Sequence, residues 1–342
     1  MMDNTKNNAN ERCLIIAEAG VNHNGDVDLA LRLCDAAKEA GADVVKFQTW
    51  ITEKLITRTV GMADYQENNT GVKESQFDML KRLELSYDDF TKIKKHCEEI
   101  GIVFASTADE PDSLDYLVNI GIPFIKIGSG DVGNISYLRY IGSKKMPVIM
   151  STGMSTLADV EQSVAALKEG GAEDITLLHC TTNYPCPFEE VNLKAMLTLK
   201  KEFGYPVGYS DHTVGTEVPV AAVALGAKVI EKHFTLDRTM EGPDHVASTE
   251  PGEFKQMVEQ IRNIEMALGD GVKVMTSSEK KIKGVVTKRI VAARKIMCGE
   301  TLGSYNICVK RSDVGELATD WDKVIGTIAK KDYVTDQGIE TV

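Results

Sequence analysis

Short apolar runs recur along the first two-thirds of the chain, and each ends in side chains that carry charge or hydrogen-bonding capacity. Ile15-Ile16-Ala17 leads to Glu18, Asn22 and His23, Val44-Val45 to Lys46 and Gln48, and Phe124-Ile125 to Lys126, Ser129 and Asp131. Val148-Ile149-Met150 is followed by Ser151 and Thr152, Val207-Gly208-Tyr209 by Ser210-Asp211-His212, and Val229-Ile230 by Glu231, Lys232 and His233. Such runs read as strands, with starts near Leu14, Val44, Val103, Phe124, Val148, Ile175, Val207 and Val229. Between them lie stretches with apolar residues at helical spacing. Leu29, Leu33, Ala36 and Ala37 form one stripe in Val27–Glu39, Phe90, Ile93 and Cys97 another in 88–100, and Val160, Val164 and Leu167 a third in 157–169. Gly41, Gly101, Gly121, Gly170-Gly171 and Gly226 follow these patterns as C-terminal caps. Eight β/α units predict an α/β fold closed as a (β/α)8 barrel, which gathers strand-end side chains at one rim. An open doubly wound sheet is the alternative, but it would present a single crevice instead of polar groups on nearly every strand.

The pattern breaks in two places. Residues 51–85 are too long and polar for a short β/α connection and read as an active-site loop or a surface insertion. After Gly269-Asp270-Gly271 the chain turns lysine-rich, then gives short β-like runs broken by Gly299 and Gly303. The expected organisation is a polar lead-in over 1–12, a barrel over 13–271, a linker over 272–284 and a small, mostly β domain over 285–342. A domain that small is marginal alone and needs support from a barrel.

Composition narrows the class. The 342 residues are 43% hydrophobic, enough for a large core, and carry a net charge of -12. That balance opposes nucleic-acid binding, which needs a basic footprint, and suits a cytoplasmic surface. No apolar stretch is long enough for a membrane-spanning helix. The seven cysteines have no CxxC spacing, and Cys13, Cys34, Cys97 and Cys180 sit in apolar patterns as reduced core thiols.

The strand-end residues offer three chemistries. His212 and His233 end consecutive strands and could converge as two imidazole ligands for a divalent ion such as Mn²⁺, Fe²⁺, Co²⁺ or Zn²⁺, or could be satisfied core histidines. Lys46 and Lys126, with hydroxyls from Ser106-Thr107, Ser129, Ser151-Thr152 and Ser210, could form an anion pocket. The lysines could instead serve as a Schiff-base site or pair with Glu18, Asp131 or Glu231. Glu18, Asp131, Asp211 and Asp244 are candidates for proton transfer or for binding sugar hydroxyls.

These same residues carry a resemblance. The stretches IAEAGVNHNG (16–25), VKFQTW (45–50), FIKIGSGD (124–131), MSTGM (150–154), LLHCTTNYPCPFEEVNLKAM (177–196), VGYSDHTVG (207–215) and EKHFTLDRTMEGPDH (231–245) occur in order over nearly the whole barrel. They resemble the sialic acid synthase family, the phosphoenolpyruvate-condensing nonulosonate synthases. GETLGSYNICVKR (299–311) resembles the family's antifreeze-like (SAF) domain.

The resemblance implies a TIM barrel with a C-terminal SAF domain of β-clip type. It implies a transferase that joins carbon 3 of phosphoenolpyruvate to the aldehyde of open-chain N-acetylmannosamine or a relative, with water adding and phosphate leaving by C–O cleavage. The implied metal, Mn²⁺ or alternatively Mg²⁺ or Co²⁺, falls on His212 and His233. Phosphoenolpyruvate contacts fall on Lys46, Thr107, Lys126, Ser129, Ser151, Thr182 and Ser210. Sugar contacts fall on Gln48, Tyr184 and Asp244, and on Arg311 reaching over from a partner chain, which implies a domain-swapped homodimer. Glu18 matches the acidic residue of the first strand. Asp131 stands where the family usually has glutamate, and Ser106-Thr107-Ala108-Asp109 where Ser-Thr-Pro-Phe is common. Legionaminate synthesis from 2,4-diacetamido-2,4,6-trideoxymannose is the alternative reaction, with acceptor groups expected from the loop near Tyr65-Gln66. A sugar-phosphate synthase and a non-catalytic sugar-binding protein are remoter alternatives.

Overall fold

In the computed structural model the described residues are 12–61 and 75–341. They fall into two units, one ending at Gly269 and one beginning at Asp270.

The first unit is the expected barrel. Its strands are β1 (Leu14–Gly20), β2 (Val44–Thr49), β3 (Val103–Ala108), β4 (Ile125–Ile127), β5 (Val148–Ser151), β6 (Ile175–Cys180), β7 (Val207–Asp211) and β8 (Val229–His233). They pair in parallel in chain order, and β8 closes back on β1. Helices Val27–Glu39, Tyr87–Ile100 and Leu157–Gly170 lie where the apolar stripes predict, within a residue at each end. Asp26, Ser86 and Thr156 cap their N-termini through side-chain oxygens. Gly101 ends the second of these helices in the left-handed conformation, at φ 73°.

Two apolar cores result from strand alternation. The larger packs outward-facing strand residues such as Ile15, Val45, Ile125 and Tyr209 against the helix stripes. The smaller consists of Ile16, Val44, Ala105, Phe124, Ile149, Leu178 and Val229. Each residue of this second set stands two positions before a polar strand-end group: Glu18, Lys46, Thr107, Lys126, Ser151, Cys180 and Glu231 in turn. Side chains two apart share a face, so the smaller core is an apolar plug inside the barrel and the polar groups form the next layer above it. Gly208 holds the corresponding place on β7, where a Cβ would come within 2.3 Å of the Val229 carbonyl oxygen.

Part of the segment over 51–85 is described, as short helices Thr52–Leu55 and Gln76–Leu83. Tyr65 and Gln66 lie outside the described residues. In the second unit, the stretch read as a linker carries helix Ser277–Val286, closed at its start by a capping box of Thr276 with Glu279. Strands β9 (Lys288–Ala292) and β10 (Ile307–Arg311) pair antiparallel. Ile290, Ile296, Leu302, Ile307, Tyr333 and Ile339 form a separate small core. Among the described residues no helix is long and apolar enough to cross a membrane.

Candidate active site

The polar layer above the plug opens into a cavity of about 190 Å³. Every residue that the resemblance assigns to the site lines it except Asp131, Asp244 and Arg311. Period-two alternation explains the composition: Lys46 and Gln48, Ser210 and His212, and Glu231 and His233 are each two apart on one strand and face inward together.

At the floor, four buried charges interlock. The Lys46 ammonium lies 2.6 Å from Glu18 and 3.7 Å from Glu231, and donates to Thr107 Oγ1 at 3.0 Å. The Lys126 ammonium lies 3.3 Å from Glu231 and donates to Ser151 Oγ at 2.8 Å. Glu231 therefore sits between both lysines, and its Oε1 also accepts from Ser210 at 3.1 Å. Gln48 donates to Glu18 Oε1 at 3.0 Å. Burial pushes the Glu18 carboxyl up, with Lys46 only partly offsetting it. Burial would do the same to Glu231, but Lys126 and Lys46 together hold it below the carboxylate range. Burial alone would lower Lys46, and the two carboxylates beside it raise it instead. The lysines thus pair with Glu18 and Glu231, two of the partners open from sequence, and not with Asp131.

A second group of donors faces the same space. The Gly153 amide donates to Ser129 Oγ at 2.9 Å. A Cβ at residue 153 would fall 2.2 Å from Thr182 Oγ1, so only glycine allows this close approach. The Thr182 hydroxyl is buried without a hydrogen-bond partner. Ser106, by contrast, turns away from the cavity to bond Thr49 at 2.7 Å.

The two imidazoles meet at the upper wall, with ring centroids 5.4 Å apart. His212 Nδ1 lies 2.7 Å from the Thr181 carbonyl oxygen. A carbonyl can only accept, so Nδ1 carries a proton, and in the neutral ring Nε2 keeps its lone pair, the arrangement of a metal-ligating histidine. His233 Nδ1 is buried with no partner, and burial lowers its pKa to about 3, which keeps the ring neutral. The donor set therefore fits a borderline divalent ion in an open site. Among the described residues no group of three His, Cys, Asp or Glu side chains is set to chelate one. Tyr184 lies beside both rings, tilted against His212 at 4.2 Å and edge-on to His233 at 5.5 Å between centroids. His179 and His245 are held by the Val191 carbonyl and the Thr235 hydroxyl, and His96 pairs with Asp35.

The three exceptions separate. Asp244 lines an adjoining cavity of about 230 Å³ that shares Gln48, Tyr184 and His233 with the first. Burial raises its carboxyl to about 6. Asp131 does not face the lysines: the 3₁₀ turn Ser129–Asp131 sends Ser129 inward and Asp131 to a neighbouring cavity, where it accepts from Asn134 at 3.0 Å. Arg311 ends β10 in the second unit and is exposed. Two residues gain importance. Glu231 was visible only as a salt-bridge partner, although its spacing of two from His233 places it on the same face. Asp109, noted as a departure from the common motif, lines both the lysine cavity and Asp131's. Burial, and then Asp131, push its pKa up to about 8.

A parallel barrel with ionised groups and paired imidazoles at the C-terminal ends of its strands defines an enzyme-like rim. The NeuB family model matches residues 33–273, and the chain belongs to this family. It is 46% identical to the N,N'-diacetyllegionaminic acid synthase of Campylobacter jejuni, over 96% of this chain and 98% of that protein. It is 44% identical to the protein of the same name from Legionella pneumophila, over 92% and 90%. The crystal structure of N-acetylneuraminic acid (sialic acid) synthetase from Leptospira borgpetersenii in complex with citrate matches with a TM-score of 0.69 at 35% identity, covering 80% of this chain and 90% of that one.

Proposed function

We propose that this chain is an alkyl-transferring synthase that condenses phosphoenolpyruvate with an open-chain N-acetylated aldose, N-acetylmannosamine or 2,4-diacetamido-2,4,6-trideoxymannose, to give a nine-carbon 2-keto sugar acid. The observation that carries this reading is the pair of buried lysines bridged by Glu231 beneath two adjacent imidazoles. Phosphoenolpyruvate supplies the phosphate and carboxylate that two ammonium groups and a ring of hydroxyls can bind. Lys46 and Lys126 hold its charge, while Thr107, Ser129, Ser151, Thr182 and Ser210 supply donors. Gln48, Tyr184 and Asp244 orient the acceptor.

Carbon 3 of phosphoenolpyruvate attacks the aldehyde carbon, and the C–C bond forms from the double-bond electrons. The aldehyde oxygen takes a proton, water adds to carbon 2 and releases one, and the C–O bond to phosphate breaks. Glu18, whose carboxyl is raised by burial and lies beside Lys46, is suited to give the first proton and recover the second. His212 and His233 would hold a divalent ion, Mn²⁺ or alternatively Mg²⁺ or Co²⁺, which would supply Lewis-acid polarisation of the aldehyde. A sugar-phosphate synthase would need a further cation cluster, and the described lining of these two cavities holds no lysine or arginine beyond Lys46 and Lys126.

The second unit enters the reading as an SAF domain whose Arg311 completes the acceptor site of a partner chain in a cytoplasmic homodimer. An exposed apolar strip on and before helix Ser277–Val286, including Val272, Val274, Ile282 and Val285, supports assembly. The test is phosphate release with phosphoenolpyruvate, Mn²⁺ and N-acetylated aldoses. Wild-type enzyme is expected to turn over, and His233→Ala to lose metal-dependent turnover while keeping its circular dichroism spectrum. Full activity of that variant after chelation would overturn the metal assignment.

A further inference from the structure

Asn22 and His23 follow the first strand-end run, yet neither lines the lysine cavity or the one beside it. Both are buried, and so are His245 and Ser248 on the loop that follows β8. That loop, over 241–248, carries Asp244 to the edge where Gln48, Tyr184 and His233 stand.

The turn after β1 grips the loop at two points. Asn22 Nδ2 donates to the Phe234 carbonyl oxygen and to Ser248 Oγ, each at 2.9 Å, and the Ser248 hydroxyl donates to the Asp244 carbonyl oxygen at 2.6 Å. Asn24 Nδ2 donates to the Glu241 carbonyl oxygen at 2.7 Å. That bond leaves Asn24 Oδ1 as an acceptor, 3.4 Å from His245 Nε2. In the neutral ring Nε2 then carries the proton, and Nδ1 accepts from the Thr235 hydroxyl at 2.6 Å. Gly242 permits this approach, since a Cβ there would fall 2.6 Å from the His245 ring and 2.7 Å from Asn24 Oδ1. His23 fixes the turn itself: its Nδ1 accepts from the Gly25 amide at 3.1 Å, and Asn24 takes a left-handed φ of 53°.

The far end of the loop is anchored separately. The Thr249 amide donates to the His233 carbonyl oxygen at 2.8 Å, and Arg238 Nε donates to the Ser248 carbonyl oxygen at 2.7 Å. Loss of one side-chain tie therefore shifts Asp244 without releasing the loop. Among the described residues, the Ser248 bond reaches Asp244 through its backbone. Holding the main chain leaves the carboxylate's acceptor capacity open to a ligand. We infer that Asn22 and Asn24 are positioning residues for the acceptor: through Ser248, Glu241 and His245 they hold Asp244 beside His233, and they take no part in holding phosphoenolpyruvate. The inference rests on Asp244 being an acceptor contact, as in the synthase reading above.

The test is steady-state kinetics of the full-length enzyme by phosphate release with Mn²⁺, using whichever of N-acetylmannosamine and 2,4-diacetamido-2,4,6-trideoxymannose turns over faster. Asn24→Gly keeps the left-handed turn and removes the amide, and Ser248→Ala removes one hydroxyl. Each is expected to raise KM for the acceptor roughly tenfold, with KM for phosphoenolpyruvate unchanged. Asp244→Ala is expected to raise the acceptor KM at least as much. In the Asp244→Ala background either second change is expected to add less than about twofold, because nothing remains to be positioned. Losses that multiply in the double variants, a matching rise in KM for phosphoenolpyruvate, or an unchanged acceptor KM in both single variants overturns the inference and leaves the synthase reading standing. A wild-type acceptor KM in Asp244→Ala overturns the acceptor-contact assignment, and the inference with it. No phosphate release with either aldose overturns the synthase reading itself.

Discussion

Strands β7 and β8 carry two buried lysine–carboxylate clusters one residue apart, and they are built to opposite ends. On the outward face, Lys232 pairs with Asp211 and donates to the Thr213 carbonyl oxygen at 2.7 Å. Asp211 also accepts from the Thr213 amide at 3.0 Å and its hydroxyl at 2.9 Å. Neither charge has spare capacity directed at a cavity. On the inward face, Glu231 shares itself between Lys46 and Lys126, and its Oε2 makes no hydrogen bond. The same residue types, equally buried, thus give a closed structural clasp on one side and an under-satisfied, cavity-facing cluster on the other. A buried acceptor left short of donors is expensive, and here that shortfall faces the cavity, where a ligand's hydroxyl could donate to it.

The comparison can be broken by moving a charge from either cluster. Lys126→Met is expected to lower kcat/KM for phosphoenolpyruvate by about 10³-fold, equivalent to about 4 kcal/mol, with a thermal transition still cooperative. A loss below about tenfold would mean that the inward cluster is structural like its neighbour. Lys232→Met should do the reverse. Leaving Asp211 buried and unpaired is expected to remove about 3 kcal/mol of stability in denaturant titration, while kcat of the folded fraction stays near wild type. The smallest effect sharpens the picture at the cavity border. The Asp109 carboxyl, raised to about 8 in the folded chain, binds its proton more tightly folded than unfolded. Its ionisation therefore costs no stability below about pH 4, a growing amount up to about pH 8, and the full amount above. Asp109→Asn is expected to raise the melting temperature by a few degrees near pH 9 and to change it little near pH 4. A gain of the same size at both pH values would trace the effect to packing.

Much of the barrel was legible in the sequence, because buried strands and amphipathic helices impose periods that short-range patterns display. Seven of the strand starts coincide with the structure's, and β4 begins at Ile125, one residue after Phe124. The imidazole pair and the hydroxyl ring were legible for the same reason, since each terminates a strand. Strand-end position alone could not separate Glu231 from Lys232, whose faces differ only by alternation. The direction of Asp131 was not legible, because a 3₁₀ turn sends it to the neighbouring cavity by a rotation that no period encodes. Helix Gln76–Leu83 was hidden more deeply: it lies in a segment that reads as a polar loop, and Met79 and Leu83 meet Val21 and Trp50 only through the fold. Helix Ser277–Val286 was missed because it buries no residue, so it has no core-facing stripe to detect.

The interlocked floor also governs how a ligand arrives. Glu231 and Glu18 offset much of the charge of the two lysines at a distance, and the chain as a whole carries a charge of -12. An approaching anion meets repulsion until it is within contact range of Lys46 and Lys126, so long-range steering cannot speed its capture. Added salt would screen that repulsion and quicken association. Selectivity for an anion would then reside in residence time, in how slowly the assembled hydroxyls and ammonium groups release a bound ligand.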